Sequence, residues 1–163
     1  MNLLTERLRN YWSSTGVNLC SGASRQALKS FESTYGIRLP EDFHDFISTI
    51  DGMEDGYSDN NMVSFWPIDG IKSVPEKLIT FAGIPDYSRI ANRLREPDSY
   101  FVFADFLIWS HVYAIKLRSK LGEKNQVLWI CGSEYRKIAE SFSDFLQMYL
   151  DDPESLLIPV LSY

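Results

Sequence analysis

Leu39-Pro40-Glu41-Asp42-Phe43-His44-Asp45-Phe46-Ile47, running on to Asp51-Gly52, reads as a helix with both ends written into it. Pro40 suits the first helical position, where a missing N–H costs nothing, and Glu41 and Asp42 favour the positive end of the helix dipole. Phe43, Phe46, Ile47 and Ile50 fall at i, i+3, i+4 and i+7, which makes one stripe apolar and turns it to a core. Gly52 can take the left-handed backbone that ends a helix.

Working outward toward the N-terminus, Ser24 can cap another helix whose stripe is Ala27, Leu28, Phe31 and Tyr35, ended by Gly36. Before it, Leu4, Leu8, Tyr11 and Trp12 form a further helical stripe. On the other side, Asp51 to Asn61 is acidic, contains glycine and has no hydrophobic period, so an exposed loop and a functional edge are expected there. Met62 to Trp66 reads as a short strand stopped by Pro67, followed by the turn-like Asp69-Gly70. Pro75, Pro85 and Pro97 break the mixed stretch that follows, in which a helix is expected around Tyr87 to Leu94. Two strands are clearer: Tyr100 to Ala104 is aromatic and β-branched, and Leu107 to Leu117 alternates. Alternation predicts Trp109, His111, Tyr113, Ile115 and Leu117 on one face of the second strand, with Ile108, Ser110, Val112, Ala114 and Lys116 on the other. The loop Arg118 to Asn125 turns into a third strand, Gln126 to Cys131. Ser141 then caps a closing helix, with Asp144 at its third position and Phe142, Phe145, Leu146 and Tyr149 inward. The expected fold is α+β: a central, mainly antiparallel sheet flanked by helices that pack mainly on one side.

At 163 residues, 45% hydrophobic and 14% aromatic, the chain is expected to be one domain over 1–163 with a substantial core. Acidic residues outnumber basic ones 22 to 16, for a net charge of −6. That sign repels a phosphate backbone, so no nucleic-acid partner is expected. The cluster Arg89, Arg93 and Arg95 has the spacing of a solvated helix face. The N-terminus is amphipathic and charged, unlike a signal peptide, and no apolar run approaches a membrane span, so a cytoplasmic protein without a membrane partner is expected. Cys20 and Cys131 lie too far apart in sequence to suggest a disulfide framework. The apolar run Leu156-Leu157-Ile158-Pro159-Val160-Leu161 is expected to lie across the body or against another subunit, because Pro159 disfavours a continuing helix. The oligomeric state, monomer or homodimer, stays open.

Chemistry is sparse. With only His44 and His111 and no Cys-x-x-Cys spacing, no metal or other cofactor is expected. Asp51, Asp55 and Gly56 fall in the register of a calcium loop, but Met53 and Met62 occupy its third and twelfth positions, where oxygen ligands are required. Ser110-His111 fails as a nucleophile and base, since neighbours on a strand point to opposite faces. A Cys131–His111 pair is left open, because both strands can pair; a satisfied histidine and a buried thiol are the alternative. No glycine-rich phosphate loop occurs. Binding is better supplied than catalysis: Trp66, Trp109 and Tyr57 lie at or near the acidic loop and the sheet, and such rings bury much area at small entropic cost.

The blocks Ala27-Leu28, Phe31-Glu32, Tyr35-Gly36, Leu39 to Phe43, Phe46 and Asp51-Gly52, then Phe103-Ala104-Asp105 with Val112-Tyr113-Ala114-Ile115, then Ile138 to Leu146, together resemble the SUKH superfamily. That superfamily holds the yeast Smi/Knr cell-wall regulators and many bacterial toxin-immunity proteins. The likeness runs from about 27 to 149. The chain departs from it where Asp51 stands in place of the usual Asn, and where Phe106-Leu107-Ile108 replaces a turn that is often rich in glycine. The resemblance implies an α+β Smi/Knr-like fold without enzymatic activity. It also implies a protein partner, expected to be a toxin domain (often a nuclease or deaminase); a cytosolic regulatory scaffold for cell-wall or signalling proteins is the alternative. The residues expected at the partner surface are Glu54, Asp55, Tyr57, Asp59, Trp66, Asp105 and Trp109.

Overall fold

A computed structural model describes residues 2–120 and 122–157. Helix α1 (Leu3–Ser14) is capped by Asn2, whose side chain accepts from Thr5 N, and it buries Leu8 and Trp12. Helix α2 (Arg25–Tyr35) begins where Ser24 accepts from Ala27 N and ends at left-handed Gly36, at both ends as its sequence predicts. Helix α3 (Glu41–Thr49) differs at its margins. Pro40 is the residue before the first turn, and the helix stops at Thr49, with Ile50 already extended and buried. Gly52 therefore does not end the helix. Its φ of +66° serves a chain crossing: a Cβ there would lie 2.5 Å from the carbonyl carbon of Trp66, so only glycine lets the two backbones pass.

Among the described residues, six strands form one antiparallel sheet: β1 (Val63–Phe65), β2 (Lys72–Ser73), β3 (Tyr100–Phe106), β4 (His111–Lys116), β5 (Val127–Cys131) and β6 (Glu134–Ala139). The order is β1-β3-β4-β5-β6, with β2 also paired to β3. The main core lies on one face, where Phe101, Phe103, Tyr113, Ile115 and Val127 meet α1, α2, α3 and α6 (Phe142–Asp151). Its rings interlock edge to face, as in Phe43 against Phe142 with centroids 4.9 Å apart at 89°. The opposite face carries a smaller core, in which Tyr100, Val102, Val112, Ala114, Leu128 and Ile130 pack under α4 (Val74–Leu78) and α5 (Ile90–Arg93). Helices thus cover one side mainly, as the sequence predicts. The helix expected over Tyr87 to Leu94 contracts to α5, and β6 was not foreseen. The apolar run ending at Leu161 lies outside the described residues from Ile158 onward.

One irregularity positions the site. The β3–β4 register slips between Val102 and Ala104, so that Asp105 pairs with Val112 and Ala104 with Tyr113. A regular β3 would put Asp105 on the face of Phe101 and Phe103, inside the main core. The extra residue shifts the phase and sets Asp105 on the side of the smaller core.

Candidate functional site at the β1–β3–β4 edge

The site is built around the turn between β3 and β4. Alternation predicted that Leu107 to Leu117 is one strand, but β4 begins only at His111. Leu107, Ile108 and Trp109 are consecutively left-handed, at φ +44°, +49° and +66°. Side chains make that conformation cost about 1–2 kcal/mol per residue. The turn swings Trp109 away from the face of His111 and onto the opposite side of the sheet. There its ring packs 5.2 Å from Trp66 and stacks on Phe81 at 4.6 Å and 13°.

Asp105 holds this arrangement. Its Oδ1 accepts from Trp66 Nε1 at 2.7 Å and its Oδ2 from Trp109 N at 3.1 Å, while Tyr87 OH donates to Trp109 O at 2.8 Å. Asp105 is buried, and that burial raises its carboxyl above the ordinary range despite the two donors. It is therefore a fastener for two tryptophans, buried beneath the surface and not, as its sequence assignment expects, exposed. Lys77 Nζ lies 4.9 Å from the centre of the Trp66 ring and 5.7 Å from that of Trp109. An open cleft of about 510 Å³ runs past Lys72, Lys77, Phe81 and Trp109.

The acidic loop lies along the outer side of β1. Met53 N donates to Phe65 O, Ser64 Oγ to Tyr57 O and Asp59 N to Val63 O. Glu54, Asp55 and Tyr57 are exposed on it, as expected. Asp59 is not: it is 5% exposed, with Oδ1 accepting from Asn61 N and Val63 N, and Oδ2 accepting from Tyr149 OH. Tyr149 OH in turn accepts from Trp12 Nε1 at 2.8 Å. Burial raises the Asp59 carboxyl even against these donors. The sequence reading of Asp59 as a contact residue is corrected accordingly: it ties the loop to the core. Asp51, half-buried, accepts from Ile68 N at 2.7 Å.

The loop leads into left-handed Met62 (φ +62°), whose carbonyl accepts from Leu107 N at 2.9 Å. An apolar tip results, with Met62 53%, Leu107 48% and Ile108 88% exposed. Sequence reasoning missed it, taking Leu107 and Ile108 for strand interior. Two signals bear on it: the family resemblance, which has a turn at Phe106 to Ile108, and Asp105, a side-chain acceptor placed to bond the backbone four residues on.

The catalytic pairing left open by the sequence is not formed. Cys131 Sγ donates to Ser110 O at 3.3 Å, and burial pushes its thiol up. His111 Nε2 lies 2.8 Å from Tyr113 OH; that hydroxyl donates to Leu156 O, so the histidine is the donor between the two. The His111 ring stacks on Phe106, and burial pushes its pKa down to about 4. Among the described residues, no group of three or more His, Cys, Asp or Glu side chains could hold a metal ion, and no helix is long and apolar enough to cross a membrane.

The site falls within a family match. The model described as SMI1 / KNR4 family (SUKH-1) matches residues 22–148, from just before the cap of α2 to within α6. No curated protein matches the sequence.

Proposed function

The chain belongs to the SMI1/KNR4 (SUKH-1) family, a family that includes toxin-immunity proteins, and we propose that this member is one of them: a cytoplasmic protein that binds a toxin domain and neutralises it by covering its working surface. The observation that carries the reading is the acidic loop bearing Glu54, Asp55 and Tyr57, held along β1 by Asp59 and set beside half-buried Trp66 and Trp109. A rigid acidic edge suits a basic enzyme such as a nuclease, steering the encounter while aromatic side chains slow release. The net charge of −6 favours the same class of partner.

The test uses the purified product of a secreted-toxin gene neighbouring that of this chain. Wild-type protein is expected to bind that product and suppress its toxicity in cells. Glu54→Lys with Asp55→Lys is expected to slow association by about 10-fold or more at low salt. Binding without loss of toxicity would refute neutralisation, and an unchanged association rate would remove the acidic loop from the interface.

A further inference from the structure

We infer that the tip of the β3–β4 turn, Leu107 and Ile108 with Met62 beside them, is an apolar anchor that enters a nonpolar pocket rimmed by basic residues on a protein partner; this rests on the binding role proposed above. Three successive left-handed positions suit glycine, and a β-branched isoleucine suits them least. The chain nonetheless places Leu107, Ile108 and Trp109 there. Trp109 is turned inward onto Trp66 and Phe81, whereas Ile108 stays 88% exposed, so packing within the fold accounts for the first and not for the second.

The tip is also firmly held. Leu107 N bonds to Met62 O, Trp109 N to Asp105 Oδ2, Tyr87 OH to Trp109 O, and Ser110 N to Phe106 O. A projection fixed in this way loses little freedom when it docks. Isolated exposed apolar residues are ordinary, but here the neighbouring Met62 and Leu107, joined by a backbone bond, flank Ile108 at one point. Charge selects the occupant. The acidic loop bearing Glu54 and Asp55 runs along β1 to Met62 and the tip, so a basic rim complements it. A second copy of this chain docked symmetrically, tip to tip, would bring acidic loop against acidic loop.

Leu107→Asn with Ile108→Asn removes the apolar surface and keeps a residue that tolerates the left-handed backbone. Leu107→Gly with Ile108→Gly is the companion variant, so the result does not depend on one substitution folding. Against the purified product of the neighbouring toxin gene, both variants are expected to bind at least about 30-fold more weakly, mainly by faster dissociation. Their melting temperatures are expected to be no lower than that of the wild type, because strain is relieved. Binding within about 3-fold of wild type by either variant would overturn the anchor while leaving the functional reading intact. A wild-type protein that does not bind that product overturns the functional reading and the anchor with it. A wild-type dimer that the substitutions dissociate would overturn the choice of partner.

Discussion

His111 shows how burial sets the chemistry of a single side chain in this molecule. Its ring is enclosed by Phe106, Tyr113 and Trp129, and its Nε2–H is engaged by Tyr113, so the neutral form is built into the fold. The folded pKa of about 4 lies below the ordinary value of 6.5. Between those two values the unfolded chain takes up a proton that the folded chain refuses. The contribution of His111 is therefore fully present above about pH 6.5 and is lost as pH falls through about 4. His111→Gln keeps a donor for Tyr113 and does not titrate. The stability of wild type relative to this variant, from urea unfolding across pH, is expected to fall by about 2–3 kcal/mol between pH 7 and pH 4. Asp59 and Asp105, whose raised carboxyls act in the opposite sense, titrate in both proteins and cancel in the difference. A flat difference would show that the ring is not held neutral by burial.

Among the elements, α3 and α6 are joined through their first turns. Asp42 Oδ1 accepts from Phe43 N, while its Oδ2 accepts from both the N–H and the hydroxyl of Ser143, at 2.8 and 2.9 Å. Helix α6 is therefore capped twice, by its own Ser141 and by a carboxylate from α3. Asp42→Ala is expected to cost about 2–3 kcal/mol, because it frees donors in two helices, against about 1 kcal/mol for Ser141→Ala. Denaturant unfolding of the two variants checks this, and equal losses would mean that Asp42 serves one helix only. Helices of this kind are legible in sequence because stripe and cap lie within one turn of each other, as at Ser24, Gly36 and Ser141. The strand β6 is not, because Glu134 to Ile138 are exposed or only partly buried and leave little alternation to read. Propensity hides the tip for a different reason: its left-handed backbone sits on Leu107, Ile108 and Trp109, residues that propensity assigns to a strand, and it is the resemblance that marks a turn there. Asp59 and Asp105 looked like surface acids because their partners Tyr149 and Trp66 lie 90 and 39 positions away in the chain. Composition gives no sign of such pairings.

At the scale of the whole molecule, the sheet offers little room for a partner to add a strand. The outer side of β1 is occupied by the acidic loop, and β6 at the far edge carries Glu134, Arg136 and Lys137 along its length. On the binding role proposed above, recognition runs through side chains, of which the β1 edge presents two kinds: carboxylates along the loop and an apolar tip at its end. These act at different moments. The field of a chain with net charge −6 acts before contact and is screened by salt, whereas an apolar tip in a pocket is felt only once docked. Between about 0.01 M and about 1 M salt the screening distance falls from about 30 Å to about 3 Å. Over that range, association with a basic toxin domain is expected to slow by about 10-fold or more, while the dissociation rate changes much less. Stopped-flow association and surface-immobilised dissociation measure the two separately. Mainly faster dissociation with salt would place the carboxylates of Glu54 and Asp55 in buried ion pairs at the interface, and the division of roles along the β1 edge would fail.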